Sequence, residues 1–277
     1  MPLAWLGRVE RRVVAPTLES GRSRRLDILL VVPPAFFLIA FVFSMLGMGG
    51  SQLYVPILMW IGMDFKTEAV PLGMLLNLVN SGSAMVTYIR KGLVVWHVAV
   101  PFGLTMIAFA PLGTWLNIRL PAKPLLIVFA AMNALAAALM LSSWKPRRGR
   151  LSRRAVTAIS LLSGSVLGTL AGLIGRGGGS FVVPTLYLGG LDPRAAAATS
   201  AFAVSASGLS SFTSHLVSAA APRWGVWSTT AIAVLLGSHL GSRLMAEHLN
   251  PRMLRIVFGS VLLLVAGLIL VKDVILG

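Results

Sequence analysis

The sequence predicts an all-α protein: a polytopic transmembrane bundle of about eight spanning helices in two tandem repeats, each with a discontinuous half-helix. Three observations predict this class: an apolar composition, long runs without charge, and one pattern that occurs twice. Of the 277 residues, 56% are hydrophobic and only 12% are charged, whereas soluble domains carry roughly 25% charged residues. The chain is therefore expected to lie in a lipid bilayer.

Eight apolar runs approach the length of a spanning helix, which needs about 20 residues for about 30 Å of hydrocarbon. The runs are continuous and do not alternate in segments of about 10 residues, so they favour helices over barrel strands. They cover residues 28–46, 69–89, 93–118, 124–144, 155–175, 195–222, 224–242 and 256–271.

Basic residues cluster at the ends of these runs, which explains the formal net charge of +16 without nucleic acid as a partner. One cluster precedes the first run and a second follows the fourth, and the positive-inside rule places both in the cytoplasm. The N-terminus is therefore expected to be cytoplasmic. The predicted segments are a basic N-terminal segment 1–27, a first repeat 28–144, a basic linker 145–154 and a second repeat 155–277.

The two repeats are related by an offset of 128 residues without a gap. The aligned pairs are Gly47 with Gly175, Gly49 with Gly177, Gly50 with Gly178, Pro56 with Pro184, Trp96 with Trp224 and Gly113 with Gly241. Because a basic cluster precedes each repeat, the charges favour the same orientation for both. Inverted repeats are the alternative, if the glycine-rich segments cross the membrane fully.

A glycine-rich break followed by a short apolar stretch occurs in each repeat. The stretches "LYVPILMWIGM" and "FVVPTLYLGGL" have 11 residues each, which as helix is roughly 16 Å, about half the hydrocarbon thickness. A helix start presents unpaired N–H groups and a positive dipole end, which bind anions. Arg176 adds a charge suited to an oxyanion. The alternative is that Arg176 lies at the interface and reaches lipid phosphates.

Other polar residues interrupt the apolar runs. Thr199 and Ser200 open the sixth run, and most of the hydroxyls that follow them are expected to bond to their own helix. Asn77 is interpreted either as a contact between helices or as a substrate ligand. His215 and His239 are candidates for carrying protons, with packed histidines as the alternative.

Acidic residues are confined to the predicted helix ends and loops, so no carboxylate relay crosses the membrane. This distribution disfavours a cation transporter and a proton pump, and favours an anion path. The sequence has no cysteine, no metal-ligand spacing, no nucleophile triad and no phosphate loop. An intramembrane enzyme is therefore disfavoured, and no cofactor is expected.

The segment "GLIGRGGGSFVVPTLYLGGLDPRAAAATSAF" resembles the signature of the sulfite exporter TauE/SafE family, and the resemblance covers about residues 28–272. It implies a transporter, often an exporter, of small anions such as sulfite, organosulfonates or related sulfur-containing carboxylates, in the bacterial cytoplasmic membrane. The first repeat departs from the pattern, because Pro71 and Leu72 stand where the second has Thr199 and Ser200.

We expect the substrate site between the two half-helix starts, with transport by alternating access. Its predicted residues are Gly49, Gly50, Ser51, Gln52, Asn77, Arg176, Gly177, Gly178, Gly179, Ser180, Thr199 and Ser200. The expected partners are a small anion and the lipid bilayer, and the sequence leaves a homodimer open. An anion channel and an accessory subunit without transport activity are the alternatives.

Overall fold

The structure, a computed structural model, describes residues 18–119, 122–142, 153–174, 179–216, 224–268 and 270–271, and in them it contains helices and no strand. The predicted all-α class is confirmed. The α-helices are α1 (Leu18–Leu46), α2 (Ser51–Trp60), α3 (Val70–Arg90), α4 (Trp96–Arg119), α5 (Ala122–Leu141), α6 (Arg153–Ile174), α7 (Gly179–Leu188), α8 (Pro193–Leu216), α9 (Trp224–Glu247) and α10 (Pro251–Leu268), with a π-helical turn, Phe65–Ala69, before α3.

The outer faces of the bundle suit a lipid environment. Leu104, Leu162 and Ile232 on three different helices are each more than half exposed, and such apolar surface marks a membrane contact. Four segments of the described residues have the length and composition to cross a membrane: Thr67–Arg90, Trp96–Leu116, Val156–Leu173 and Pro251–Leu268. The figure of eight spanning helices stays a prediction.

Helix boundaries recur at the offset of 128 residues. The ten-residue helices α2 and α7 begin and end at matching positions, and so do the 24-residue helices α4 and α9. The two half-helices therefore occupy equivalent places in the order of elements.

Contacts between neighbouring helices fix their relative directions. Helices α3 and α9 are parallel, because the residue numbers increase in both along three successive contacts. These contacts join Asn80 with Ser238, Thr87 with Ser242, and Lys91 with Glu247. Helix α8, the counterpart of α3, runs the opposite way. Asn77 of α3 lies near Gly208 of α8, whereas Val95, just after α3, bonds to Thr199 near the start of α8.

The first helices of the two halves are antiparallel as well. Helix α1 runs parallel to α9, since Gly237 lies against Phe37 and Gly241 against Phe41. Helix α6 runs parallel to α4, since Met106 contacts Gly168 and Ala110 contacts Gly172. Helix α4 runs parallel to α8, with contacts from Gly103 to Phe202 and from Ile107 to Ser210.

The two halves are therefore inverted relative to each other. The prediction from the charges, that both repeats have the same orientation, is wrong. The reason is the path of α2, which runs antiparallel to α3, with Ser51 at Asn77 and Val55 at Gly73. Helix α2 thus returns toward the end where α1 began, and the three long helices that follow carry the chain to the other end. The starts of α1 and α6 therefore lie at opposite ends of the bundle.

We call the end where α1 begins the N-terminal end and the end where α6 begins the linker end. Helix α2 runs from the middle of the bundle toward the N-terminal end. Helix α7 runs from the middle toward the linker end, because it leads into α8, whose Arg194 bonds to the carbonyl of Leu249 just after α9. Under the positive-inside rule only one of the two ends is cytoplasmic. A cytoplasmic N-terminus stays a prediction.

The two halves interlock through close backbone contacts. A Cβ atom added to Gly113 of α4 would lie 1.9 Å from the carbonyl oxygen of Thr169 in α6, and one added to Gly241 of α9 would lie 2.0 Å from that of Phe41 in α1. Small residues permit such close packing between membrane helices. Each half therefore supplies one helix to each of these two interfaces.

Candidate functional site

The first break ends α1 with a left-handed glycine. Gly47 has φ of +66°, its N–H donates to the Ser44 carbonyl at 3.1 Å, and the N–H of Met48 donates to the Phe43 carbonyl at 3.3 Å. This pair of bonds is a Schellman motif, for which glycine is preferred. The hydroxyl of Ser200 donates to the Gly47 carbonyl at 2.8 Å, so α8 of the second half holds the break of the first.

Helix α2 begins directly after this break, and Gly50 at its N-cap gives it no side-chain cap. The carboxamide oxygen of Asn77 from α3 takes that place. It accepts from the Ser51 hydroxyl at 3.1 Å and from the Ser51 N–H at 3.4 Å. Gly49 is required beside it, since its φ is +69° and an added Cβ would lie 2.0 Å from the same oxygen.

The start of α7 lies against the first break. A Cβ atom on Gly179 would lie 1.9 Å from the carbonyl oxygen of Met48, so the two half-helix starts are in backbone contact. The predicted site residues Arg176, Gly177 and Gly178 lie outside the described residues.

Two buried polar side chains occupy equivalent positions in the first turns of the half-helices. Gln52 is 1% exposed and Ser180 is 0% exposed. Neither the carboxamide of Gln52 nor the hydroxyl of Ser180 has a hydrogen-bond partner in the described part of the chain. Since most buried polar groups are hydrogen-bonded, each exception requires an explanation.

Thr199 and Ser200 are fully buried but already bonded to backbone groups. Thr199 accepts from the Val95 N–H at 3.2 Å, and Ser200 donates to Gly47 as described above. Both hydroxyls join the two halves and position the first break. Later hydroxyls of α8, such as Thr213 and Ser214, bond to carbonyls of their own helix, as the sequence predicts for most of them.

Tyr54 and Asn80 are two further polar residues that the predicted site does not include. Both are fully buried, and neither the Tyr54 hydroxyl nor the Asn80 carboxamide has a partner within the described ranges. The Tyr54 ring fills the space beside Gly50, where an added Cβ would lie 2.2 Å from it. The signal for Tyr54 in the sequence is a hydroxyl within the apolar stretch "LYVPILMWIGM".

The two candidate proton carriers lie far apart along the bundle. His215 is in the last turn of α8, toward the N-terminal end, and His239 lies in the middle of α9. Both are partly buried. Proton transfer by either residue stays a prediction.

The described polar side chains at the half-helix starts are buried. Ser51, Gln52, Asn77, Ser180 and Thr199 are each exposed by 1% or less. Access to these side chains from either end of the bundle requires helices to move.

A family model described as Sulfite exporter TauE/SafE matches residues 32–269. The chain belongs to the TauE/SafE family. This TauE/SafE protein is 27% identical over 248 residues to the "Probable membrane transporter protein y4hK" of Sinorhizobium fredii, covering 84% of this chain and 94% of the relative. It is 28% identical over 236 residues to a "Probable membrane transporter protein" of Xylella fastidiosa, covering 83% and 90%. No solved structure matches it significantly. The chain is a multi-pass membrane transporter of the TauE/SafE type.

Proposed function

We propose that this TauE/SafE protein carries a small anion across the bacterial cytoplasmic membrane by alternating access. The proposed substrate is sulfite, an organosulfonate or a related sulfur-containing carboxylate, and the proposed direction is export. The substrate binds between the starts of α2 and α7.

One observation carries the proposal: two half-helices from inverted halves begin at the same place in the middle of the bundle and run to opposite ends. Gly179 in contact with Met48 brings their starts together. Each start presents N–H groups and the positive end of a helix dipole, and the two fields add where the starts meet. In transporters with inverted repeats, anionic groups bind at such discontinuous helices.

Buried donors at the same place support an anionic ligand. The side chains of Gln52 and Ser180 can each donate a hydrogen bond, and both lack a protein partner among the described residues. Leaving such groups unpaired costs about 1–3 kcal/mol each, and a ligand oxygen removes that cost. Arg176 is proposed to add the charge that makes the site selective for anions.

The buried site residues and the inverted halves support alternating access over a channel. A channel needs a continuous path, whereas the described site residues are buried. Inverted halves permit one half to adopt the arrangement of the other, so that the site opens in turn to each side.

Counterflow in proteoliposomes tests the proposal. Vesicles loaded with sulfite or sulfoacetate are expected to take up the same labelled anion against its gradient, with saturation. Uptake should fall in Arg176→Gln and persist in Arg154→Gln, which changes an exposed arginine at the start of α6. Flux that neither saturates nor shows counterflow identifies a channel.

Anion-dependent thermal stabilisation separates a transporter from an accessory subunit. A ligand that binds only the folded protein raises its stability by about 2.7 kcal/mol at a concentration of 100 Kd. We expect sulfite or an organosulfonate to raise the unfolding temperature of the purified protein, whereas choline, a cation, does not. Equal unfolding temperatures with all of these solutes would contradict the proposal.

A further inference from the structure

A cleft lies beside the last turn of α7, near the linker end of the bundle. It holds about 360 Å³ of space between α4, α6 and α7, part of it open to the outside. Thr185 and Gly189 line it together with Phe102 of α4 and Ser160 of α6. Because Thr185 and Gly189 are four residues apart, they lie on one side of α7. On this side the end of α7 borders space.

The equivalent place in the first half is packed. At the offset of 128 residues, the aligned pairs are Val32 with Ser160, Ile57 with Thr185, and Ile61 with Gly189. Val32 belongs to a buried apolar cluster, and Ile57 and Ile61 pack against that cluster. The end of α2 is therefore held by aliphatic side chains where the end of α7 borders the cleft.

The opposite side of α7 is held by a polar contact. Tyr187 lies two residues after Thr185, so its side chain leaves the helix on the side away from the cleft. Its hydroxyl accepts from the guanidinium of Arg255 in α10 at 3.4 Å, and the guanidinium carbon lies 5.7 Å from the centre of the Tyr187 ring. The same guanidinium donates to the carbonyls of Met140, at 3.0 Å, and of Ser142. Arg255 thus joins the end of α7 to α5 and α10.

The first half has no equivalent of this polar contact. Met59 and Ile127 stand at the counterparts of Tyr187 and Arg255, and neither side chain forms such a hydrogen bond. Met59 packs against the same apolar cluster as Ile57. A long hydrogen bond is weak, whereas separating packed aliphatic side chains loses many contacts at once. On these two sides the end of α7 is therefore more easily displaced than the end of α2.

We infer that α7 is the gate of the linker end: its last turn moves into the cleft when the contact between Tyr187 and Arg255 breaks, and α2 keeps its place in that step. Helix α7 runs from the half-helix starts to the linker end, so this movement opens a path along it on the side of α5 and α10. Arg255 is a positioning residue, which acts through α7. This inference rests on the proposed alternating access.

Single-cysteine labelling tests the inference, since the sequence contains no cysteine. Val183 and Val55 are equivalent positions of α7 and α2, and they are only 2% and 0% exposed. Val183 precedes Tyr187 by four residues and lies on the same side of α7. Val183→Cys and Val55→Cys are each reconstituted in phosphatidylcholine vesicles with a membrane-impermeant methanethiosulfonate on both sides. The rate of modification is measured without substrate.

Arg255→Gln should raise the rate at Val183→Cys by about tenfold, which corresponds to ~1.4 kcal/mol in the opening equilibrium, and should leave the rate at Val55→Cys unchanged. Tyr187→Phe keeps the bonds from Arg255 to α5 and should raise the rate at Val183→Cys in the same direction, so it serves if Arg255→Gln folds poorly. Arg252→Gln changes an exposed arginine of the same helix and should alter neither rate.

Filling the cleft tests the direction of the movement. Thr185→Ile and Gly189→Ile introduce the residues of the first half. Combined with Arg255→Gln, they should return the rate at Val183→Cys to its value without that substitution. A rate that stays high, no increase with either single variant, or an equal increase at the α2 position would overturn the inference. Counterflow of sulfite by the wild type is measured separately, so these results leave the proposed function standing, and loss of that counterflow would refute the proposed function instead.

Discussion

The interface between α4 and α6 and the interface between α1 and α9 lie at matching positions of the two halves. In both, the same glycine of the repeat approaches a carbonyl of its partner: Gly113 that of Thr169, and Gly241 that of Phe41. Elsewhere the small residues differ. Helix α6 has Gly164, Gly168 and Gly172, where α1 has Phe36, Ala40 and Ser44.

The larger residues of α1 are compensated by a small residue of its partner helix, α9. Helix α9 has Gly237 against the Phe37 carbonyl, whereas its counterpart in α4 is Phe109. Where two of these helices approach closely, one of them thus needs a small residue, and either helix can supply it. The backbone geometry of the halves is shared, and the side chains around it are free to diverge, as they do at the starts of α2 and α7.

Substituting the two shared glycines should have the largest effect. Gly113→Ala and Gly241→Ala each place a methyl group inside a backbone contact, and overpacking of this kind costs up to about 3 kcal/mol. Thermal unfolding of the purified variants measures the loss. Gly82→Ala in α3, where an added Cβ meets nothing within 4 Å, should unfold no more readily than the wild type, because alanine is the better helix former. If only one of the two variants were destabilised, the interfaces would not be equivalent.

The break of the first half is tested by a pair of glycines with the same backbone conformation. Gly47 and Gly92 both have φ of +66°, but only Gly47 is crowded, with an added Cβ 2.0 Å from the Ala197 carbonyl. Gly92→Ala should cost about 1–2 kcal/mol from the left-handed backbone alone, and Gly47→Ala about 2 kcal/mol more from the clash. Unfolding temperatures compare them. Equal losses would mean that the contact between α1 and α8 opens without cost.

The helices and the half-helices follow from local sequence, because hydrocarbon requires apolar helices and glycine permits a break. The glycine-rich breaks predict α2 and α7, and the structure begins α2 at Ser51 directly after Gly50. Helix direction was not predictable in this way. It depends on α2 folding back onto α3, and that depends on contacts such as Ser51 with Asn77, which the distribution of arginines does not report.

The roles of Thr199 and Ser200 were not predictable from the sequence either. A serine or threonine looks the same in the sequence whether its hydroxyl binds a substrate or a carbonyl of the protein. Ser200 bonds to Gly47, 153 residues away, and no local pattern reports such a contact. The equivalence of Gln52 and Ser180, by contrast, is visible in the repeat, but their lack of partners appears only once the helices are packed.

Replacing Gln52 and Ser180 compares the two half-helix starts directly. Gln52→Met and Ser180→Ala each remove an unpartnered buried polar group, so each variant should be more stable than the wild type, by about 1 kcal/mol. Counterflow of sulfite should nevertheless fall in both variants. Ser228→Ala, an exposed serine of α9 bonded to its own helix, should change neither property. A variant that loses stability and keeps full transport would assign its residue to packing.

The smallest effect is expected at the ion pair between Lys91 of the first half and Glu247 of the second. Lys91 and Glu247 lie 2.8 Å apart at the linker end, whereas the counterpart of Glu247 in the first half is Arg119, which stacks on Trp115. The hydrogen bond from Lys91, followed by its charge, holds the pKa of Glu247 below its usual value. The stabilisation is therefore present above the ordinary glutamate pKa of about 4.3 and is lost as the pH falls through the lowered value.

Glu247→Gln should unfold slightly below the wild type near pH 7, because both partners are solvent-exposed and exposed pairs contribute little. The difference should disappear on acidification, and also at about 1 M salt, where charges are screened within about 3 Å. Unfolding temperatures of both proteins across this pH range, at low and high salt, measure it. A difference that persisted under acid or salt would have to come from packing of the Glu247 stem, because the ion pair itself is absent under those conditions.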